Sequence, residues 1–305
     1  MFKKAFNTQN YLGKNKTDYF EGWYFRTARD HPFSFIAGVS KNMADPHSFI
    51  MFISRAFSHY FRFDLSEFKF DKQNMTITIA KNIFSLNQIT VDLQDAGITL
   101  CTHLKLSNHS LFKKSIYSPS VMGPFGYLKM RCNHAVISLK HNVSGTIALN
   151  NQKTKVNSLG YIEKDFGSNF PKNYVWAHGM NNELSIMFAY AHPLTLGMRG
   201  FLCIILHKGK QYNFSLYTLA KLSITKESEQ HFKAKLKKGK NYIEFDIKNS
   251  TKGHILPAPA EGGKMKDAIT ESLSAEMCGT FCVRGLKISF SFQAAYEFVS
   301  QSHAV

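Results

Sequence analysis

Alternation of apolar and polar residues with a period of two runs through the chain, and it leaves few architectures open. Met75-Thr-Ile-Thr-Ile79, Ile89-Thr-Val-Asp-Leu93, Ile98-Thr-Leu-Cys-Thr-His-Leu-Lys-Leu106 and Leu286-Lys-Ile-Ser-Phe-Ser-Phe292 each send apolar side chains to one side and polar ones to the other. That is the pattern of a strand with one buried face. Turn signals such as Ser144-Gly, Lys208-Gly-Lys and Lys238-Gly-Lys recur between them, and apolar stripes at helical spacing stop at about a dozen residues. The expected class is all-β, as sandwiches or up-and-down barrels. A chain of 305 residues exceeds what one core usually fills. Two halves are therefore expected, residues 1–155 and 156–305, dividing in the polar stretch Asn150-Asn-Gln-Lys-Thr-Lys155.

Composition removes several function classes. With 44% apolar and 14% aromatic residues the chain is globular, not disordered. Its longest apolar runs, Ile186–Ala191 and Phe201–Leu206, fall far short of a bilayer span. Lys3 and Lys4 are followed by no apolar stretch, so no secretory signal is expected and the protein is placed in the cytoplasm. Five cysteines, odd in number and thinly spread, predict no disulfide framework. Cys132 and His134 share a strand face, but no second pair at zinc-like spacing accompanies them, so no metal and no cofactor is expected. Nucleophile-elbow, phosphate-loop and dinucleotide signatures are absent.

The net charge of +17 attracts anions. Much of the excess lies between His207 and Lys252, where Phe232-Lys-Ala-Lys-Leu-Lys-Lys238 and Tyr242-Ile-Glu-Phe-Asp-Ile-Lys248 alternate strictly around Gly239. These lysines decorate the solvent side of a hairpin and protect a sheet edge. No nucleic-acid-binding motif accompanies them, so nucleic acid is not expected, and an anionic membrane surface is the peripheral partner such charge would meet.

Two stretches bear residues suited to chemistry. In Tyr19-Phe-Glu-Gly-Trp-Tyr-Phe-Arg26, read as a strand, Glu21, Trp23 and Phe25 share one face and Gly22, Tyr24 and Arg26 the other. In the central stretch Tyr161, Glu163 and Asp165 share a face before a turn at Gly167–Pro171, after which Tyr174, Trp176 and His178 share a face of the next strand. With both faces inward, such a hairpin lines a cavity with two carboxylates, an indole, two phenols and an imidazole.

These segments resemble the tocopherol cyclase family, which carries Glu-Gly-Trp-Tyr-Phe near the N-terminus and a central Glu-Lys-Asn/Asp-Trp-Gly-x-x-Phe-Pro-x-x-x-x-Trp. Further matches are Met122-Gly-Pro-Phe125, Cys132-x-His134, and Leu256-Pro-Ala-Pro-Ala-Glu-Gly-Gly-Lys-Met265 leading to Ile269-Thr-Glu-Ser272. The resemblance implies two lipocalin-like β-barrel domains and an isomerase that closes a prenylated hydroquinone to a chromanol. The alkene is protonated and the phenol oxygen then captures the tertiary cation. It implies a lipophilic prenylated aromatic or isoprenoid ligand, with a hydratase acting on an isoprenoid alkene or a non-catalytic carrier as alternatives. A carboxylic acid that keeps its proton at neutral pH needs burial or a like-charged neighbour. Asp165 leads as general acid, followed by Glu163 and Glu21. Trp23, Tyr24, Tyr161, Phe166, Trp176 and His178 are the expected substrate-binding residues, with aromatic faces to stabilise the cation and His178 as a candidate base. Phe166 stands where the family has Trp. Glu21, Trp23, Glu163, Asp165 and Trp176 are expected to converge on one apolar cavity.

Overall fold

The computed structural model describes residues 9–192 and 199–300. Its strands form two large antiparallel sheets, as the alternation predicts. The first takes β1 (Phe20–Thr27), β2 (Phe33–Ser40), β3 (His47–Ser54), β4 (Ser58–Phe63), β5 (Phe68–Asp71), β6 (Thr76–Ile79), β7 (Asn82–Phe84), β8 (Gln88–Asp95), β9 (Ile98–Ser107), β10 (Cys132–Leu149) and β11 (Gln152–Gly167). In space they run β4-β3-β2-β1-β11-β10-β9-β8-β7-β6-β5. The second takes β12 (Asn173–Met180), β13 (Leu184–Ala191), β14 (Gly200–His207), β15 (Lys210–Asn213), β16 (Lys221–Glu227), β17 (His231–Lys238), β18 (Asn241–Lys248), β19 (His254–Pro259), β20 (Met265–Val283) and β21 (Leu286–Ser300). Their order is β15-β14-β13-β12-β21-β20-β18-β17-β16, with β19 paired to β20. Among the described residues, no helix is long and apolar enough to cross a membrane.

The chain changes sheet at residues 168–172, not at 155. The polar stretch taken for a boundary is a hairpin turn: Asn150 and Asn151, at φ 46° and 68°, join β10 to β11 as a tight turn with two left-handed residues. Residues 156–167 therefore belong to the first sheet, where β11 pairs with β1. A hairpin turn and a linker are equally polar, so composition does not separate them. The Leu256-Pro-Ala-Pro259 stretch, whose prolines suggest turns, is a strand instead. β19 pairs with β20 alone, and an edge position tolerates prolines that cannot donate to a neighbour.

Among the described residues, three large apolar cores result, beside a small cluster of Tyr19, Ala135 and Phe166. One lies within the first sheet around Trp23, Phe35 and Phe84, and one within the second around Phe188, Phe232 and Phe245. The third holds the sheets together, with Tyr24, Met51 and Tyr161 from one and Trp176, Met187 and Ala295 from the other. β11 and β12, joined by residues 168–172, are interior strands of their respective sheets, so their facing side chains meet in this third core.

Candidate functional site

A cavity of about 380 Å³ opens within the third core. The wall is largely carbon, supplied by Tyr24, Ile36 and Met51 of the first sheet and Trp176, Leu202 and Ile269 of the second. Polar groups gather in one part of the wall, where Glu163, Asp165, His134 and Glu297 line the space. Tyr24 and Trp176 meet edge to face, with ring centroids 5.5 Å apart and planes at 81°, so aromatic surface from both sheets borders the acids.

Strand register builds this polar end. Directly opposed residues of an antiparallel pair point to the same side of the sheet. β1 and β11 oppose Gly22 to Asp165, Tyr24 to Glu163 and Arg26 to Tyr161. β10 then brings His134 opposite Asp165. The intervening positions, Glu21 opposite Phe166 and Trp23 opposite Lys164, point the other way.

Glu163 is the centre of the hydrogen bonding. Its Oε2 accepts from the Tyr161 hydroxyl at 2.6 Å and from the Trp176 indole N–H at 3.1 Å. The same oxygen lies 3.3 Å from Nε2 of His134. Nδ1 of His134 meets Oδ1 of Asp165 at 2.8 Å. Burial raises the Glu163 carboxyl to about 7, the His134 imidazolium opposes the rise, and the Asp165 carboxylate adds to it. For His134 burial alone would lower the value, but Asp165 and Glu163 outweigh it and raise the imidazole to about 9. At neutral pH His134 is a cation held by Asp165. Its Nε2 is buried and makes no well-directed hydrogen bond despite its proximity to Glu163.

Two further acids complete the set. Glu297 accepts from the Tyr174 hydroxyl at 2.6 Å, and burial raises it to about 8 against the effect of that bond. Glu271 accepts from Tyr24 at 2.5 Å, and burial raises it to about 8, helped by Glu297. Ser34 in turn donates to Tyr24 at 2.9 Å. Behind the wall sits Arg26, wholly buried, whose Nη1 donates to the carbonyl of His178 at 3.0 Å and to its Nδ1 at 2.9 Å.

Because a guanidinium only donates, Nδ1 of His178 must accept, which puts the imidazole proton on Nε2, 3.1 Å from Ser185 Oγ. Burial and the Arg26 charge push His178 well below its usual value, so it is neutral. It stacks on Tyr161 with centroids 3.7 Å apart.

The expected residues thus divide three ways. Glu163, Asp165, Tyr24 and Trp176 line one cavity. Tyr161 and His178 are fully buried behind its wall, where Tyr161 holds Glu163 and His178 stacks on Tyr161. His178 is not available as a base, since both ring nitrogens are taken. Glu21, Trp23 and Phe166 lie on the opposite face and do not join the cavity. There Lys164 pairs with Glu21 at 2.5 Å and stands over the rings of Trp23 and Phe166 at 4.7 and 4.9 Å.

In the sequence His134 shows only as a possible metal ligand beside Cys132, Glu271 only within Ile269-Thr-Glu-Ser272 and Arg26 only as a face-mate of Tyr24, none with a role in an acid site. Glu297 carried a signal, as an acid in the apolar run Ala294-Ala-Tyr-Glu-Phe-Val299. His134, Glu163 and Asp165 offer ligand atoms within 4.8 Å of one another. To take a cation they would have to give up the contacts they make among themselves, and as they stand they form an acid–base cluster.

No protein-family model matches the sequence, and no curated protein matches it. Solved structures do resemble it. A structure assigned as AttH from Nitrosomonas europaea is 12% identical, with 92% of each chain covered and a TM-score of 0.56. CghA with Sch210972 is 10% identical, covering 93% of this chain and 89% of that one at a TM-score of 0.62. Kievitone hydratase from Nectria haematococca is 10% identical, covering 95% and 92% at 0.53. With these proteins the chain shares a lipocalin-like fold of two β units.

Proposed function

We propose that the protein is an isomerase of the tocopherol cyclase type, which takes a lipophilic prenylated aromatic into the cavity between the sheets and closes it to a chromanol. The observation that carries this is a carboxyl group, Glu163, held near pH 7 in its protonation equilibrium at the polar end of a carbon-lined cavity, beside the faces of Tyr24 and Trp176. With Oε2 accepting from Tyr161 and Trp176, the acid proton sits on Oε1. It passes to the less substituted alkene carbon and leaves a tertiary cation, which the aromatic faces stabilise in a dry space. The phenol oxygen forms the new C–O bond and releases its proton to the carboxylate. The acid is restored, and substrate and product are isomers. Asp165, bonded to His134, keeps that imidazole charged and oriented rather than serving as the donor itself. Kievitone hydratase, an enzyme by its name, and CghA, which holds the small molecule Sch210972, share this fold, in keeping with a cavity that takes and acts on a small ligand.

Incubation of the protein with an isoprenoid-bearing hydroquinone in deuterium oxide tests the reading. Cyclisation gives a product isomeric with the substrate apart from a carbon-bound deuterium, absent with Glu163→Gln. A product heavier by the elements of water identifies a hydratase. Ligand that binds and is recovered unchanged identifies a carrier. Loss of turnover in Asp165→Asn with full retention in Glu163→Gln would return the donor role to Asp165.

A further inference from the structure

We propose that the segment between β9 and β10, together with the turn after β15, forms a membrane-docking face that opens the cavity to an anionic lipid bilayer. Large apolar side chains stand in water there: Ile116 is 77%, Tyr117 83% and Leu219 87% exposed. They come from stretches far apart in sequence that the fold brings together. The Tyr217 hydroxyl lies 3.3 Å from Ser118 Oγ, and a side chain at Gly123 would collide with the Tyr217 ring. The Tyr127 hydroxyl donates to the Ile116 carbonyl at 2.7 Å and fixes the tip of the segment.

Leu219 is informative because it adopts φ 61°, the left-handed region that glycine or asparagine would occupy more easily. A turn whose only surroundings were water would gain nothing from leucine at that position. The same elements also form cavity wall, through Leu128 and Lys129 on one side and Leu216 and Tyr217 on the other. Apolar surface therefore continues from the exposed patch to the interior, and an isoprenoid chain passing from bilayer to cavity stays out of water.

Charge identifies the occupant. No Asp or Glu occurs between Ala96 and Ile162, whereas Lys113, Lys114, Lys129 and Arg131 are exposed on this segment. Basic residues beside apolar ones that can insert match an anionic lipid surface. The lysine-rich hairpin of β17 and β18, which the sequence offers for the same role, fits less well. Its Lys235 meets Glu244 at 3.1 Å, Lys233 lies 4.0 Å from Asp246, and none of the large exposed apolar side chains falls within it.

Flotation with vesicles of phosphatidylcholine and phosphatidylglycerol in equal parts, free of any substrate, tests the proposal apart from the reaction, since binding needs no turnover. The wild-type protein is expected to float, less so as salt rises. The variant Ile116→Ser/Tyr117→Ser/Leu219→Asn should bind roughly tenfold or more weakly with an unchanged melting temperature. Lys233→Gln/Lys235→Gln/Lys237→Gln should bind nearly as well as wild type. Equal binding by the apolar-patch variant, or loss confined to the hairpin variant, would overturn the assignment. So would a wild-type dimer that ignores vesicles and that the apolar-patch substitutions dissociate, which would make a second copy of the chain the occupant.

Discussion

The two faces of the β1–β11 strand pair both bury carboxylates, and they treat them in opposite ways. On the outer face Glu21 is fully satisfied: Lys164 pairs with it, Tyr19 donates at 2.8 Å, and the Leu12 amide reaches both oxygens at 3.0 Å. Lys164 adds a bond to the Asn10 carbonyl and the rings of Trp23 and Phe166. On the cavity face Glu163, Glu271 and Glu297 have hydroxyl or indole donors and no lysine, and each holds its proton far more tightly than a solvated carboxyl does. A buried acid paired directly with an ammonium is structural, whereas Glu163, whose carboxyl stays raised although the His134 imidazolium lies 3.3 Å away, is equipped to exchange a proton beside the cavity. The strands are the same on both faces, and alternation alone assigns the roles.

The largest expected effect separates the faces by function. Glu163→Gln keeps size and hydrogen-bonding capacity but removes the transferable proton, and turnover should fall by roughly 10²–10⁴-fold with the melting temperature at pH 7 little changed. Glu21→Gln should do the reverse, lowering stability and leaving the turnover of folded protein near wild type. Product formation by chromatography and mass spectrometry, set against thermal melts, reads both. Turnover lost in Glu21→Gln at full stability would erase the distinction.

Next comes the outer pair itself. Lys164→Met leaves Glu21 wholly buried with its cation gone, and removing one partner of such a pair costs about 3–5 kcal/mol. The double change Lys164→Met/Glu21→Gln should recover a large part of that loss, because it removes the stranded charge as well. Urea unfolding of the two variants and wild type measures the difference, and a double variant no more stable than the single one would show that the pair is not what stabilises this face.

The cavity face predicts an unusual dependence on pH. Glu163, Glu271 and Glu297 have folded-state values raised to about 7, 8 and 8. The folded chain therefore binds protons where the unfolded chain has already released them, and stability is lost as pH climbs from the ordinary carboxyl range through these values. His134, raised to about 9, acts in the same direction, its contribution present below its unfolded value and lost as pH rises through 9. His141 and His178 are lowered by burial and act oppositely, weakening the fold as pH drops below the ordinary histidine value. Stability should peak on the mildly acidic side of neutrality and decline by about 1.4 kcal/mol per pH unit for each acid that is forced to ionise. Turnover should fall on the alkaline side as Glu163 loses its proton. Thermal melts and initial rates across pH 5 to roughly 9 span this window, and a melting temperature that rises steadily to pH 9 would contradict the protonated state of the cavity acids.

How much of this the sequence discloses follows from what alternation encodes. It reports which residues share a face, so the all-β class, the β17–β18 hairpin about Gly239 and the grouping of Tyr161, Glu163 and Asp165 were all legible. It does not report which face of one strand matches which face of its partner. The pattern alone therefore allows Glu21 and Trp23 into the cavity, whereas the register of Tyr24 with Glu163 turns them away. Glu271 and Glu297 lie on β20 and β21, more than a hundred residues from Glu163, and only sheet pairing brings Glu297 opposite Trp176. Arg26 was seen on its strand, but its role depends on His178 across the sheet interface.

The smallest effect concerns Phe166, where the resemblance would have Trp. Were this position part of the substrate site, restoring Trp would alter ligand preference by adding an N–H donor. The structure places the ring on the outer face instead, packed with Tyr19 and Ala135 and under the Lys164 ammonium. Phe166 is only 4% exposed, so a larger indole has to displace neighbours, and overpacking of this kind costs about 1–3 kcal/mol. The stronger attraction of an ammonium for an indole face offsets part of that. Phe166→Trp should therefore shift stability by about 1 kcal/mol or less after that offset, with substrate preference and kcat unchanged. Urea unfolding alongside competition between two isoprenoid hydroquinones of different chain length reads the two properties separately. A changed preference at unchanged stability would mean that the outer face reaches the substrate after all, and would undo the division between the faces at its most accessible point.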